Sequence, residues 1–133
     1  MQLTKKASYG LILVLELARL PDDSSLSAAA VAERCSLPTA FVEKILHRLR
    51  TAGLVQSRQG RAGGYLLGAP ANRLSVRRIL EALDEPIDLV PCLGEEPRCN
   101  LMAICPTKKA WARINDRLAE LLESLTVADL LGG

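Results

Sequence analysis

The 133-residue chain is 49% hydrophobic and 24% charged, with four aromatic side chains, Tyr9, Phe41, Tyr65 and Trp111, and a net charge of +2. A chain of this length buries roughly two-thirds of the surface its unfolded form exposes, so one independent domain, or a small oligomer of it, is expected without disulfide staples. The longest apolar stretch, Tyr9 to Leu15, ends at Glu16 and is far short of the about 20 residues a bilayer span needs, which argues against a membrane protein.

Divided along the chain, the charge is far from even. Residues 44 to 78 hold eight Lys or Arg and no acid, a local charge of +8. The remainder sets nine basic residues against fifteen acids, a net of −6. A cationic block on an otherwise acidic chain suits a polyanion, because each neutralised phosphate releases condensed counterions. The N-terminus has two lysines before an apolar run but no small-residue cleavage site after it, so a cytoplasmic location is expected.

Thr4 is placed to cap a first helix, with Ala7, Leu11, Val14, Leu15 and Ala18 at three- and four-residue spacings and Pro21 to Ser24 as its stop. Ser27 can cap a short second helix through Arg34. A turn at Cys35 to Pro38 leads into a third, from about 39 to 52, along which Phe41, Ile45, Leu49 and Ala52 repeat before Gly53. Two helices across a tight turn, the second carrying Lys44, His47, Arg48 and Arg50, read as a helix-turn-helix with a basic recognition helix.

Leu54 to Arg58 and Tyr65 to Leu67 read as two short strands around the turn Gln59-Gly60-Arg61-Ala62-Gly63-Gly64, which makes a wing. Its glycines permit close approach to DNA, and Arg58 and Arg61 can reach phosphates or a minor groove. Ser75 caps a further helix through Leu83, stapled by Leu74 against Ile79. A stretch of about 20 residues then interrupts the helical pattern, a length that usually signals function or disorder. From Thr107 a long helix places Trp111, Ile114, Leu118, Leu121 and Leu125 on a narrow apolar seam suited to a partner helix. Thr126 and Asp129 form a capping box for a last turn. The expected fold is therefore mainly α with a small β-hairpin: a winged helix-turn-helix domain over 1–84, a cysteine-bearing loop over 85–106, and a dimerisation helix with a C-terminal turn over 107–133.

Cys92, Cys99 and Cys105 all fall in the interrupting stretch, bracketed by Pro91 and Pro106. An odd trio cannot pair off within one chain, and a reducing compartment disfavours disulfides. Structural zinc usually shows close Cys-x-x-Cys pairs and four ligands, whereas the single histidine, His47, sits on the recognition helix. Iron-sulfur clusters take thiolates and tolerate wide spacing, so a metallocluster is favoured over zinc or inert thiols. Cys35 reads as a small buried hydrophobe. No serine, carboxylate pair or zinc-protease spacing suggests hydrolysis, and an enzyme is not expected.

These pieces resemble one family over nearly the whole chain: the cluster-binding winged-helix transcription regulators typified by IscR, NsrR and RirA. The resemblance is carried by Met1 to Thr4 with Tyr9, Phe41 to Arg50 with Gly53-Leu54-Val55, Gly60 to Leu67, the cysteine trio, Trp111 and Asp116-Arg117-Leu118. It implies a homodimeric regulator that binds palindromic double-stranded DNA and holds an iron-sulfur cluster on Cys92, Cys99 and Cys105, with [4Fe-4S] preferred over [2Fe-2S]. Where the IscR branch has a histidine after the last cysteine, this chain has Lys108. Where the NsrR branch supplies a carboxylate from the first helix, it has Ser8. The fourth ligand is then Ser8, one of Glu95, Glu96 or Asn100, or none, leaving an iron open to nitric oxide, oxygen or a change in iron supply. The resemblance also carries DNA contacts onto Thr39, Phe41, Glu43 and Lys44, and sets Gln59 where some relatives have a wing arginine. The alternative reading is a winged-helix regulator with structural zinc or a protein partner as its signal.

Overall fold

The computed structural model describes residues 3–61, 63–85 and 107–132. Helix α1 (Lys5–Ala18) starts where Thr4 Oγ1 accepts the Ala7 N–H at 3.3 Å, and it buries Ala7, Gly10, Leu13, Val14 and Leu17 along one face. Helix α2 (Ala28–Cys35) is capped by the Ser27 hydroxyl and closed by Ser36 in the left-handed region at φ 56°. There the Leu37 N–H returns to the Ala32 carbonyl at 3.0 Å. That single reversal makes the turn of the helix-turn-helix, and Pro38 then leads into α3 (Thr39–Thr51), whose core side is Val42, Ile45, Leu46 and Leu49.

Strands β1 (Val55–Arg58) and β2 (Gly64–Leu67) pair antiparallel with Val55 opposite Leu67 and Arg58 opposite Gly64. The wing is not a free hairpin. Leu26, just before α2, bridges Tyr65 through two backbone hydrogen bonds, at 3.0 and 2.6 Å. A Cβ on Gly64, at φ +155°, would collide with the Leu26 backbone, so this approach requires glycine.

A 3₁₀ turn at Ala71–Arg73, which the hydrophobic pattern does not announce, leads to α4 (Val76–Ala82), capped by Ser75. The long α5 (Lys108–Ser124) and short α6 (Val127–Leu131) follow, α6 opening on the expected capping box. Thr107 precedes α5 without a side-chain cap. Ser75 and Thr126 form an isolated bridge, with Val76 N–H to Leu125 O and Val127 N–H to Leu74 O both at 2.9 Å. The chain after α5 is thereby sewn to the start of α4.

The main core joins α1, α2, α3, β1, α4 and α6 through fully buried aliphatics, among them Leu13, Val31, Ile45, Leu46, Leu49, Leu54, Leu74, Ile79 and Leu83. Each such side chain contributes about 1.5–3 kcal/mol relative to exposure. Leu74 and Ile79 lie in this one cluster, as a hydrophobic staple requires. Helices α1 and α4 close on each other at Gly10, where any added Cβ would strike the Leu83 side chain. A smaller cluster of Ala7, Val76 and Leu80 takes Leu122 and Leu125 from the α5 end. Among the described residues the architecture is mainly helical with one two-stranded hairpin, as the sequence pattern predicts. Among the described residues no helix is long and apolar enough to cross a membrane.

Candidate nucleic-acid interface

With 3.6 residues per turn, α3 divides cleanly. Val42, Ile45, Leu46 and Leu49 face the core, while Ala40, Glu43, Lys44, His47 and Thr51 recur at three- and four-residue steps on the opposite, exposed face. Thr39 is exposed at the first turn. Such a face offers an acceptor (Glu43), a cation (Lys44) and an imidazole (His47) in a row that fits a major groove, where carboxylates accept from cytosine amino groups and cations reach guanine or phosphate.

Phe41 is not in that row. It is half-buried against the core, its ring edge-on to Tyr9 with centroids 5.5 Å apart and planes at 89°. The resemblance places it among DNA contacts; the structure places it between α3 and α1.

Two arginines stand at the margins of the exposed face. Arg50 leans to the wing, its Nη1 donating to Ser57 Oγ at 3.3 Å. Arg48 leans to the end of α4 and pairs with Asp84. The Arg48 hydrogen bond, reinforced by its charge and by that of Lys6, holds the Asp84 carboxyl below the usual carboxylate range. On the wing, Arg58 is turned back to the α1–α2 connection, donating to the Asp23 carbonyl at 2.6 Å and to its carboxylate at 3.4 Å. Gln59 and Arg61 are exposed at the tip, where Gly63 N–H closes onto Gly60 O at 3.0 Å. Arg77 pairs with Glu81 at 3.0 Å. Of the eight cations in the basic block, Lys44, Arg50, Arg61, Arg73 and Arg78 have no ion pair among the described residues. They remain available to a polyanion.

The expected metal ligands divide differently. Cys92, Cys99 and Cys105 lie outside the described residues, and among those described no group of three His, Cys, Asp or Glu could hold a metal ion. Ser8 is exposed on α1, one turn beyond Thr4. Thr4 in turn donates its hydroxyl proton to the carboxylate of Glu85, a nearly buried residue at the start of the cysteine-bearing stretch. Cys35 is half-buried. Burial pushes its thiol pKa up, helped by Glu16 and opposed by Arg34, a shift away from the thiolate form that reactive cysteines need.

On α5, Trp111, Ile114 and Leu121 are 39%, 49% and 54% exposed, an apolar stripe with Leu118 between them at intermediate exposure. Leu125 is the C-cap, in extended backbone, and packs inside the chain on the α1–α4 cluster. It leaves the seam because the helix, and with it the periodicity, has ended.

Residues 3–133 match the profile of the family described as Rrf2, iron-dependent transcriptional regulator. An HTH-type transcriptional regulator of Haemophilus influenzae is 35% identical over 131 residues, covering 98% of this chain and 87% of that protein. The IscR regulator of Pectobacterium carotovorum is 34% identical over 98% of this chain and 79% of its own length. Among solved structures, CymR, the global cysteine regulator of B. subtilis, superposes with a TM-score of 0.80 at 33% identity, over 98% of this chain and 95% of that one.

Proposed function

The chain belongs to the Rrf2 family of transcriptional regulators, and from that premise we propose that it works as a homodimer whose grip on a palindromic operator is set by an iron-sulfur cluster on Cys92, Cys99 and Cys105. It is a DNA-binding regulator and not an enzyme. The observation that carries the cluster reading is the Thr4–Glu85 hydrogen bond. It fastens the chain just ahead of the three cysteines to the first turn of α1, and the next turn presents Ser8 to the same side. Three thiolates and one oxygen donor suit an iron-sulfur centre better than zinc, and the preferred form is [4Fe-4S] with Ser8 or an open iron in fourth place.

A cluster bound there would supply iron that nitric oxide, oxygen or iron depletion can attack or remove. The chain's own residues would do the rest. Glu85 and Thr4 fix the entry of the cysteine-bearing stretch, and Trp111, Ile114, Leu118 and Leu121 supply the face for the second protomer. Lys44, His47 and the wing residues Gln59 and Arg61 meet DNA, with Thr39 and Glu43 at base edges. Dimeric readers of this type set their two recognition helices one helical turn of DNA apart, so any change in protomer orientation alters affinity.

The test is anaerobic purification followed by absorption and Mössbauer spectra of wild type, Ser8→Ala and each cysteine variant, with operator binding by loaded and stripped protein. Spectra of an iron-sulfur centre lost in the cysteine variants, and unequal affinities, are expected. Colourless protein carrying stoichiometric zinc would favour the second reading, in which the cysteines are structural and zinc or a protein partner is the signal; the likeness to CymR, the global cysteine regulator of B. subtilis, supports it.

A further inference from the structure

Among the described residues, Arg48 is the one basic side chain of the recognition helix that is matched by an acid of its own chain. Its partner occupies an unusual position. The last turn of α4 closes with the Asp84 N–H on Glu81 O at 3.1 Å and the Glu85 N–H on Leu80 O at 2.9 Å, the paired bonds of a Schellman ending. The residue at its left-handed position is ordinarily glycine, but here it is Asp84 at φ 56°. A helix ending of this kind needs no carboxylate. The side chains of the pair are 45% and 71% exposed, and ion pairs in that setting add little to stability. Asp tolerates the left-handed region, as Asn does, but neither that geometry nor folding energetics calls for a charge here.

What the acid does is cover a cation on the DNA-reading helix. Glu85, one residue on, is nearly buried and bound to Thr4, so the turn that displays Asp84 is held from both sides. We propose that Asp84 is a built-in competitor for DNA: it withholds Arg48 from the phosphate backbone, and the α4 ending decides how many phosphates each recognition helix engages. When the turn moves or the Glu85 anchor is lost, Arg48 is released to the duplex. The inference rests on DNA binding by the family fold and is independent of which cofactor, if any, the cysteines hold.

The experiment is a mutant cycle on the full chain, read as affinity for a labelled mixed-sequence duplex across a potassium chloride series. Asp84→Asn keeps a residue type that tolerates the left-handed region. It is expected to tighten binding several-fold at low salt and to steepen the slope of log affinity against log salt by about 0.9 for each phosphate gained. In an Arg48→Gln background the same change should bring no steepening. Asp84→Gly, which relaxes the backbone while removing the charge, should behave as Asp84→Asn does. An unchanged slope in both Asp84 variants, or equal steepening with and without Arg48, overturns the proposal, the latter showing only the general effect of one acid fewer. Wild-type binding in the same series separates this failure from a failure of DNA binding itself.

Discussion

The ring of Phe41 meets that of Tyr9 edge-on at 5.5 Å, and this contact ties the first turn of the recognition helix to α1. Edge-to-face pairs add about 0.5–1.5 kcal/mol beyond area burial. Phe41→Ala is therefore expected to cost about 2–3 kcal/mol, less than for a fully buried ring because Phe41 is half-buried. Urea unfolding measures it, and Phe41→Leu should fall between the two. A loss below the pair term alone would mean that the contact does not persist in solution.

Gly64 carries the wing. A side chain there would meet the Leu26 backbone, and the Leu26–Tyr65 bridge prevents that backbone from retreating. Gly64→Ala should destabilise by about 2 kcal/mol and weaken DNA binding, because the tip carrying Gln59 and Arg61 shifts. Amide exchange at Leu26 and Tyr65 checks the cause: both should lose protection in the variant.

Asp84 titrates below the ordinary carboxylate value of 3.8, chiefly through its hydrogen bond to Arg48. Its folded pKa lies below its unfolded one, so the associated stabilisation is complete above the unfolded value and disappears as pH falls through the depressed folded value. Carboxyl-carbon NMR titration should show this, and Arg48→Gln should move the Asp84 midpoint upward. A midpoint indifferent to Arg48 would contradict the pairing.

Ile114 and Leu121, at 49% and 54% exposed, belong to neither buried cluster formed by the described residues. Introducing a charge at either, Ile114→Glu or Leu121→Glu, should leave helicity intact and shift sedimentation toward monomer. Val76→Ala, beneath Leu122 and Leu125, should instead lower protomer stability by about 1–2 kcal/mol.

Helix starts were legible in the sequence because a capping hydroxyl announces itself locally: Thr4, Ser27, Ser75 and Thr126 all accept the amide proton three residues on. The central face of α3 was legible for the same reason, since periodicity alone separates Glu43, Lys44 and His47 from Ile45 and Leu49. Its margins were not. Arg58 reaches Asp23 across 35 positions and Arg48 reaches Asp84 across 36, and nothing in the spacing of charges tells which cations are already matched. The single-residue bridges Leu26–Tyr65 and Ser75–Thr126 have no alternation to betray them. Phe41 shows a related ambiguity: an aromatic at the start of a recognition helix fits a base contact or a brace equally well until Tyr9 is located.

The stitching of Leu74-Ser75-Val76 to Leu125-Thr126-Val127 makes α5 a rod clamped at one end. Its 17 residues at 1.5 Å each span about 25 Å, so each degree of pivot about the clamp moves the far end by about 0.4 Å. That far end, at Lys108, is where the cysteine-bearing stretch rejoins the helix. A displacement at that end would reach the α4 origin as a small angular change, leverage rather than amplitude.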